Sequence, residues 1–210
     1  MKSATRTPTA LAIAGLAIAL TVALSACVPL VIGGAVAGGA LVATDRRTSA
    51  AQLEDESIEL SGARRLSDAL SGRGHINVIS YNRQVLLTGE IPTAQERQLA
   101  EATIARVENV RGVINELAVM PNSSLTQRSS DSLVTGRVKA AMIDAKDIFA
   151  NAFKVVTERG IVYLMGRVTQ REANRATEMV RSVPGVERVV RVLEIISEEE
   201  LQRIGGATTK

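Results

Sequence analysis

The chain has 210 residues, a formal net charge of +3, 46% hydrophobic residues and 2% aromatic residues, with no tryptophan. This length allows two small domains with separate cores, and scarce aromatic rings argue against surfaces that stack on nucleic-acid bases or sugars. A single cysteine excludes an intramolecular disulfide, so the fold must be stabilised by packing alone.

The N-terminus has the three parts of a secretory signal peptide. Lys2 and Arg6 supply positive charge, residues 10–24 are apolar, and small residues precede the single cysteine, Cys27. The segment LSAC that ends at Cys27 also resembles the bacterial lipobox. This resemblance implies a diacylglycerol thioether on Cys27 and cleavage between Ala26 and Cys27. The alternative is an ordinary signal peptide or membrane helix with a cysteine there by chance.

Removal of residues 1–26 reduces the chain to 184 residues and its net charge to +1, because Lys2 and Arg6 are lost and no acid is. That balance gives no sign of nucleic-acid binding. The lipobox resemblance also implies acylation of the new N-terminus, and three acyl chains would hold such a protein firmly to a bilayer. Val28 stands where aspartate would signal inner-membrane retention, which favours the outer membrane and its periplasmic face.

The segment after the cysteine, residues 27–53, is predicted to be an apolar and then polar tether. Gly34 and Gly38 have the spacing that lets two helices approach closely, but a flexible tether near the membrane is the simpler interpretation. Asp45, Arg46 and Arg47 are interpreted as its exit into water.

The rest of the sequence contains an internal repeat of one structural unit. The motif V-x-L-x-G recurs at residues 85–89 and 162–166, and alternating apolar residues predict half-buried strands in both copies. A helical stripe and a β-branched segment follow each motif. A further helix precedes each, over residues 55–70 and 131–145, the second with Asp131 or Ser132 as its N-cap. Each unit therefore reads αββαβ.

This duplicated pattern resembles tandem BON domains, and behind a lipobox it resembles the family of outer-membrane lipoproteins with two such domains. The resemblance implies an α+β fold in which two helices pack on one face of a small three-stranded sheet in each domain. Members are associated with cell division, envelope integrity and phospholipid binding. The boundaries are residues 1–26 for the signal peptide, 27–53 for the lipidated cysteine and tether, 54–121 for the first BON domain, 122–130 for a linker, 131–197 for the second BON domain and 198–210 for a tail.

The two units differ in charge. Residues 55–121 carry seven basic and nine acidic side chains, a net charge of −2, whereas residues 131–196 carry eleven and eight, a net charge of +3. The second unit is therefore the better partner for an anionic membrane. With the family resemblance, its first helix is the candidate phospholipid-binding site, through Leu133, Val134, Arg137, Lys139 and Ile143. The alternative is that Leu133 and Ile143 complete the core and the charges are merely solvated.

No catalytic, cofactor or metal site is predicted. His75 is the single histidine, Cys27 is expected to be consumed by lipid, and no P-loop, G-x-S-x-G motif or dinucleotide fingerprint occurs. The alternative to a lipid-binding module is a non-enzymatic adaptor. In that role, the acidic first unit or the sheet face between the units would contact an envelope protein.

Overall fold

The computed structural model describes residues 45–207, and we report only on these. The expectations for the signal peptide, its cleavage at Ala26, the lipidation of Cys27 and most of the tether lie outside the described residues. Within them, the chain forms two α+β domains, in agreement with the fold class that the repeat implied. None of the helices in this part of the chain is long and apolar enough to cross a membrane.

The first domain consists of α1 (Ser49–Leu70), β1 (His75–Tyr81), β2 (Gln84–Ile91), α2 (Ala94–Ile104), β3 (Gly112–Asn115) and β4 (Ala118–Val119). The second consists of α3 (Leu125–Asp144), a 3-10 turn at Ala150–Ala152, β5 (Phe153–Glu158), β6 (Ile161–Thr169), α4 (Gln170–Arg181) and β7 (Arg188–Ile196). A last helix, α5 (Glu198–Ala207), follows.

Each sheet has an antiparallel hairpin and a parallel third strand, in the orders β1-β2-β3 and β5-β6-β7. In the second sheet β7 pairs with β6 along nine residues without a break, from Arg188 to Ile196. In the first sheet the third strand is interrupted, and β4 resumes the parallel pairing with β2. At the interruption Leu117 packs in the core, and its backbone N–H donates a hydrogen bond to Asn115 Oδ1 at 3.2 Å.

The first helix of each domain begins earlier than the sequence predicted. Helix α3 begins at Leu125, and its N-cap is Ser124, whose hydroxyl accepts from the backbone N–H of Gln127 at 3.1 Å. The prediction of Asp131 or Ser132 as the N-cap was therefore wrong. Ser124 ends an extended segment and satisfies one of the free N–H groups of the first turn, so the polar stretch after Ser124 is helical.

Asp131 instead fixes the hairpin of its own domain. Its carboxylate accepts from the backbone N–H groups of Arg159 and Gly160, both at 2.9 Å, in a two-residue turn in which both φ angles are positive. Asp55 in α1 does the same for the equivalent turn, Asn82-Arg83, at 2.7 and 2.8 Å. A turn of this kind suits the twist of a hairpin, and one buried aspartate per domain ties it to the first helix.

The glycine of the repeated motif is required by close approach of the neighbouring strand. A Cβ atom on Gly166 would lie 2.3 Å from the carbonyl oxygen of Ala152. A Cβ atom on the equivalent Gly89 would lie 1.9 Å from the carbonyl oxygen of His75, and its φ of +111° is also unfavourable for other residues. The motif is therefore explained by packing of the two hairpins.

The two sheets pack face to face, with the helices on the outside. In β6, Val162 and Leu164 point to the helices of their own domain, whereas Tyr163 and Met165 join a core cluster shared with the first sheet. The remaining buried members of this shared cluster are Ile79, Tyr81, Leu86 and Val192. The central strands are thus buried on both faces, and the prediction of half-buried strands was wrong. The same packing removes the sheet face that the adaptor hypothesis offered to a protein partner.

Candidate lipid-binding surface

Helix α3 turns one side to the core and the other to solvent. Val134, Val138 and Met142 recur at intervals of four residues and pack into the core of the second domain. Val134 is only 4% exposed, so it positions the helix and does not contact a ligand, which corrects its assignment to the binding residues. The spacing of these three residues along the sequence is typical of the buried side of a helix.

The other predicted residues lie on the outer side. Leu133 is 63% exposed and Ile143 is 71% exposed, so they do not complete the core as the alternative interpretation held. Arg137 and Lys139 are also exposed. Arg137 donates a hydrogen bond to the backbone oxygen of Pro184 at 3.3 Å, which keeps it close to the end of α4. The surface of Leu133, Arg137, Lys139 and Ile143 is called the outer face of α3 below.

Two further apolar side chains extend this outer face and were missed by sequence reasoning. Leu125 is 78% exposed in the first turn of α3, and Phe149 is 63% exposed in the loop that follows the helix. Leu125 was assigned to the linker, and Phe149 lies outside any helical stripe. Composition could have pointed to Phe149, because the chain has only two phenylalanines and one of them lies in a short polar loop.

The described chain begins next to this surface. Asp45, Lys139, Ile143 and Lys154 line one cavity of about 430 Å³, together with Arg47 and Tyr81. Arg47 forms ion pairs with Asp45 and Asp55, both at 2.7 Å, and its guanidinium carbon lies 4.3 Å from the centre of the Tyr81 ring. Burial is the main reason why the pKa of Tyr81 rises to about 12.

Arg46 holds the same segment to the second domain. Its guanidinium forms two hydrogen bonds with the Glu172 carboxylate, at 2.7 and 2.8 Å, and both side chains are buried. Burial opposes ionisation of Glu172, but the hydrogen bonds from Arg46 and from Thr169 outweigh it and lower the pKa of this carboxyl. The interpretation of Arg46 and Arg47 as an exit into water was therefore wrong, because each has a buried carboxylate partner.

A second group of charges lies where the two domains meet. Arg159 donates to Glu90 Oε1 at 2.7 Å, and Lys154 donates to Glu59 Oε1 at 2.6 Å. Hydrogen bonds from Ser123 and Arg159 lower the pKa of Glu90 against the opposing effect of burial. Burial raises the pKa of Glu158, and the nearby Glu90 carboxylate adds to this effect.

Comparison with known proteins agrees with the repeat. The BON domain model matches residues 54–121 and 130–197. The chain is 39% identical over 178 residues to the outer membrane lipoprotein DolP of Haemophilus influenzae, covering 84% of this chain and 92% of the relative. It is 34% identical over 154 residues to a 21 kDa hemolysin of Actinobacillus pleuropneumoniae, covering 72% and 79%.

Similarity to solved structures is weaker. A structural protein of the type III secretion system of Chlamydia trachomatis, CdsD, aligns with 68% of this chain and 96% of its own. The TM-score is 0.30 and the sequence identity is 11%.

Proposed function

This chain belongs to the BON-domain family of outer-membrane lipoproteins, and we propose that its second domain binds anionic phospholipid in the membrane that anchors it. The family has a role in the envelope, and its domains favour binding over catalysis. The outer face of α3 makes this contact, on the periplasmic side of the outer membrane.

The observation that carries the proposal is the exposure of Leu133 and Ile143 beside Arg137 and Lys139. Large apolar side chains on a soluble surface are unremarkable singly, but here each has a cation one helical turn away, Arg137 for Leu133 and Lys139 for Ile143. Such a face can place its apolar groups at the level of the lipid headgroups while the long basic side chains reach phosphate oxygens. The rise of about 1.5 Å per residue puts Leu133 and Ile143 about 15 Å apart, so the helix would lie flat on the bilayer.

The first domain supplies an internal comparison. Asp55 and Asp131 have the same role in α1 and α3, so positions 76 residues apart are equivalent. At this offset the four residues of the outer face of α3 correspond to small or polar residues in α1, namely Ser57, Ser61, Ala63 and Ser67. The scaffold therefore does not require apolar and basic residues at these four positions, and α1 carries its exposed Leu60 and Arg64 at other positions.

The anchor strengthens a weak contact of this kind. Asp45, where the described chain begins, lines a cavity together with Lys139 and Ile143. A tether that starts at this end of the molecule raises the effective concentration of the outer face near the bilayer. Phe149 precedes Ala150, which lines the same cavity, and adds a large apolar group to the surface.

Vesicle flotation of residues 41–210 tests the proposal without the acyl chains. This fragment is a compact unit that contains every described helix and strand. We expect it to float with vesicles that contain phosphatidylglycerol and not with purely zwitterionic vesicles. Transplanting the first-domain residues, as Leu133→Ser, Arg137→Ser, Lys139→Ala and Ile143→Ser, should abolish flotation and leave the circular dichroism spectrum unchanged.

Pairs of these changes separate the two contributions. Each cation near an anionic membrane contributes about 1 kcal/mol, so the pair Arg137→Ser and Lys139→Ala should weaken binding about thirtyfold at low salt. That loss should shrink at high salt, because the Debye length falls to about 3 Å at 1 M. The apolar pair should weaken binding at both salt concentrations.

A matched control is Leu60→Ser, which removes a similarly exposed leucine from α1 and should leave binding unchanged. Equal flotation of the transplanted variant and the original fragment would show that the outer face of α3 is not the binding site.

A further inference from the structure

Three side chains with metal-binding chemistry meet at the boundary between the two sheets. They are His75 at the start of β1, Glu90 near the end of β2 and Glu158 at the end of β5. One ligand atom from each lies within 4.8 Å of the other two, and His75 Nδ1 is 3.2 Å from Glu90 Oε2. Both glutamates are buried, whereas His75 is partly exposed. The two domains thus bring together residues that are far apart in the sequence.

From this convergence we propose that His75, Glu90 and Glu158 bind one divalent transition-metal ion. An imidazole nitrogen combined with carboxylate oxygens suits Zn²⁺ and similar first-row ions, whereas Mg²⁺ and Ca²⁺ prefer oxygen ligands alone. Zn²⁺ sites with three protein ligands keep a further position for water. The ligand atoms are close enough for small side-chain rotations to bring each one to the bonding distance of about 2.0–2.2 Å.

The electrostatics of the cluster favour a cation. Glu90 and Glu158 are two buried carboxylates, and one oxygen of each lies within 4.8 Å of an oxygen of the other. Arg159 balances one of these two negative charges, through its hydrogen bond with Glu90 Oε1 at 2.7 Å. The second carboxylate is left next to an imidazole that is neutral when it acts as a ligand. A divalent ion therefore enters a site with a net charge of −1.

Neighbouring groups already orient the ligands. Ser123 donates its backbone N–H to Glu90 Oε2 at 3.0 Å, and the amide of Asn77 donates to Glu158 Oε2 at 2.9 Å. Partners of this kind fix the carboxylate groups of metal sites and reduce the conformational freedom that binding must remove. Hydrogen bonds from other residues thus hold both glutamate side chains in place.

The site is open to solvent on one side. His75 and Glu158 line a cavity of about 590 Å³ whose walls come from α1 and β1 in one domain and from α3 and β5 in the other. An ion and its water can enter there. Because His75 and Glu90 belong to the first domain and Glu158 to the second, a bound ion would join the two domains.

The single histidine makes the test direct. We would purify the full-length lipoprotein in detergent without a histidine tag, label its histidine with ¹³C, and titrate Zn²⁺ while recording the ring signals. We expect one set of signals to move and to saturate at one ion per chain. Calorimetry should show affinity at least about tenfold lower for His75→Gln and for Glu158→Gln.

The control variant is Glu194→Gln, which changes another glutamate at the domain boundary, hydrogen-bonded to Asn82 at 2.6 Å, and should bind Zn²⁺ as the original does. Ring signals that stay fixed up to millimolar Zn²⁺ would overturn the proposal. So would unchanged affinity in both ligand variants, or equal affinity for Mg²⁺. The titration of the unaltered protein decides the question even if a variant fails to fold.

Discussion

Replacing Arg46 by methionine tests whether the segment before α1 is held by its buried ion pair. The side chains of Arg46 and Glu172 are 7% and 1% exposed. Removing one partner of such a pair costs about 3–5 kcal/mol, because the other charge stays buried. Glu172 keeps hydrogen bonds from the Thr169 backbone N–H and hydroxyl, at 3.0 and 3.3 Å, so we expect the low end, about 3 kcal/mol.

A double variant isolates the interaction from the loss of either side chain. Glu172→Gln removes the charge and preserves the capping box with Thr169, since glutamine also serves at that position of a helix. Arg46→Met combined with Glu172→Gln should therefore be more stable than Arg46→Met alone, by about 2 kcal/mol. Urea unfolding of residues 41–210 at neutral pH, followed by circular dichroism, measures all four proteins.

The pH dependence gives a second readout. Despite the opposing effect of burial, Arg46 and Thr169 hold the pKa of Glu172 below its ordinary value of 4.5. Because the pKa of Glu172 is lower in the folded protein, its ionised carboxylate stabilises the fold at pH values above 4.5. This stabilisation is lost as the pH falls through the pKa that Glu172 has in the folded protein. The difference between the original fragment and Arg46→Met should thus shrink in acid. If Arg46→Met unfolds within about 0.5 kcal/mol of the original at neutral pH, the pair does not hold the segment.

Two other substitutions test the packing. Gly166→Ala should destabilise the second domain by about 1–3 kcal/mol, because the new Cβ atom would lie 2.3 Å from the Ala152 carbonyl oxygen. The melting temperature, measured by calorimetry, should therefore fall. An unchanged melting temperature would contradict this explanation of the motif. Met165→Lys places a charge in the cluster between the two sheets and should separate the domains. Separation should appear as faster proteolysis between residues 120 and 125. The comparison is Met179→Lys, at a partly buried position of α4, which should leave that cleavage slow.

The repeat determined most of the architecture. V-x-L-x-G at two places, each followed by a helical stripe and a β-branched segment, was enough to predict two αββαβ units, and the structure and the family match confirm them. Such patterns are local, because they reflect how a strand or helix alternates its faces along the chain. The inward direction of Val134 follows from the same periodicity.

The ends of the helices were harder to predict from the sequence. A serine at position 124 and an aspartate at 131 both suit an N-cap by residue type, and only the tertiary fold shows that Asp131 is engaged by the hairpin turn 159–160. Likewise, Arg46 looked like a solvated charge because its partner, Glu172, lies 126 residues further along the chain.

What the sequence determined by itself is the content of each domain: its elements, their order and the side chains that each directs to its own core. What only the tertiary structure decided is how the domains meet. Burial of Leu86, Tyr163 and Met165 between the sheets requires contacts between surfaces formed by distant segments. The convergence of His75 and Glu90 with Glu158 depends on the same packing. Periodicity reports which face of a strand is apolar, but it carries no information about which other surface will cover that face.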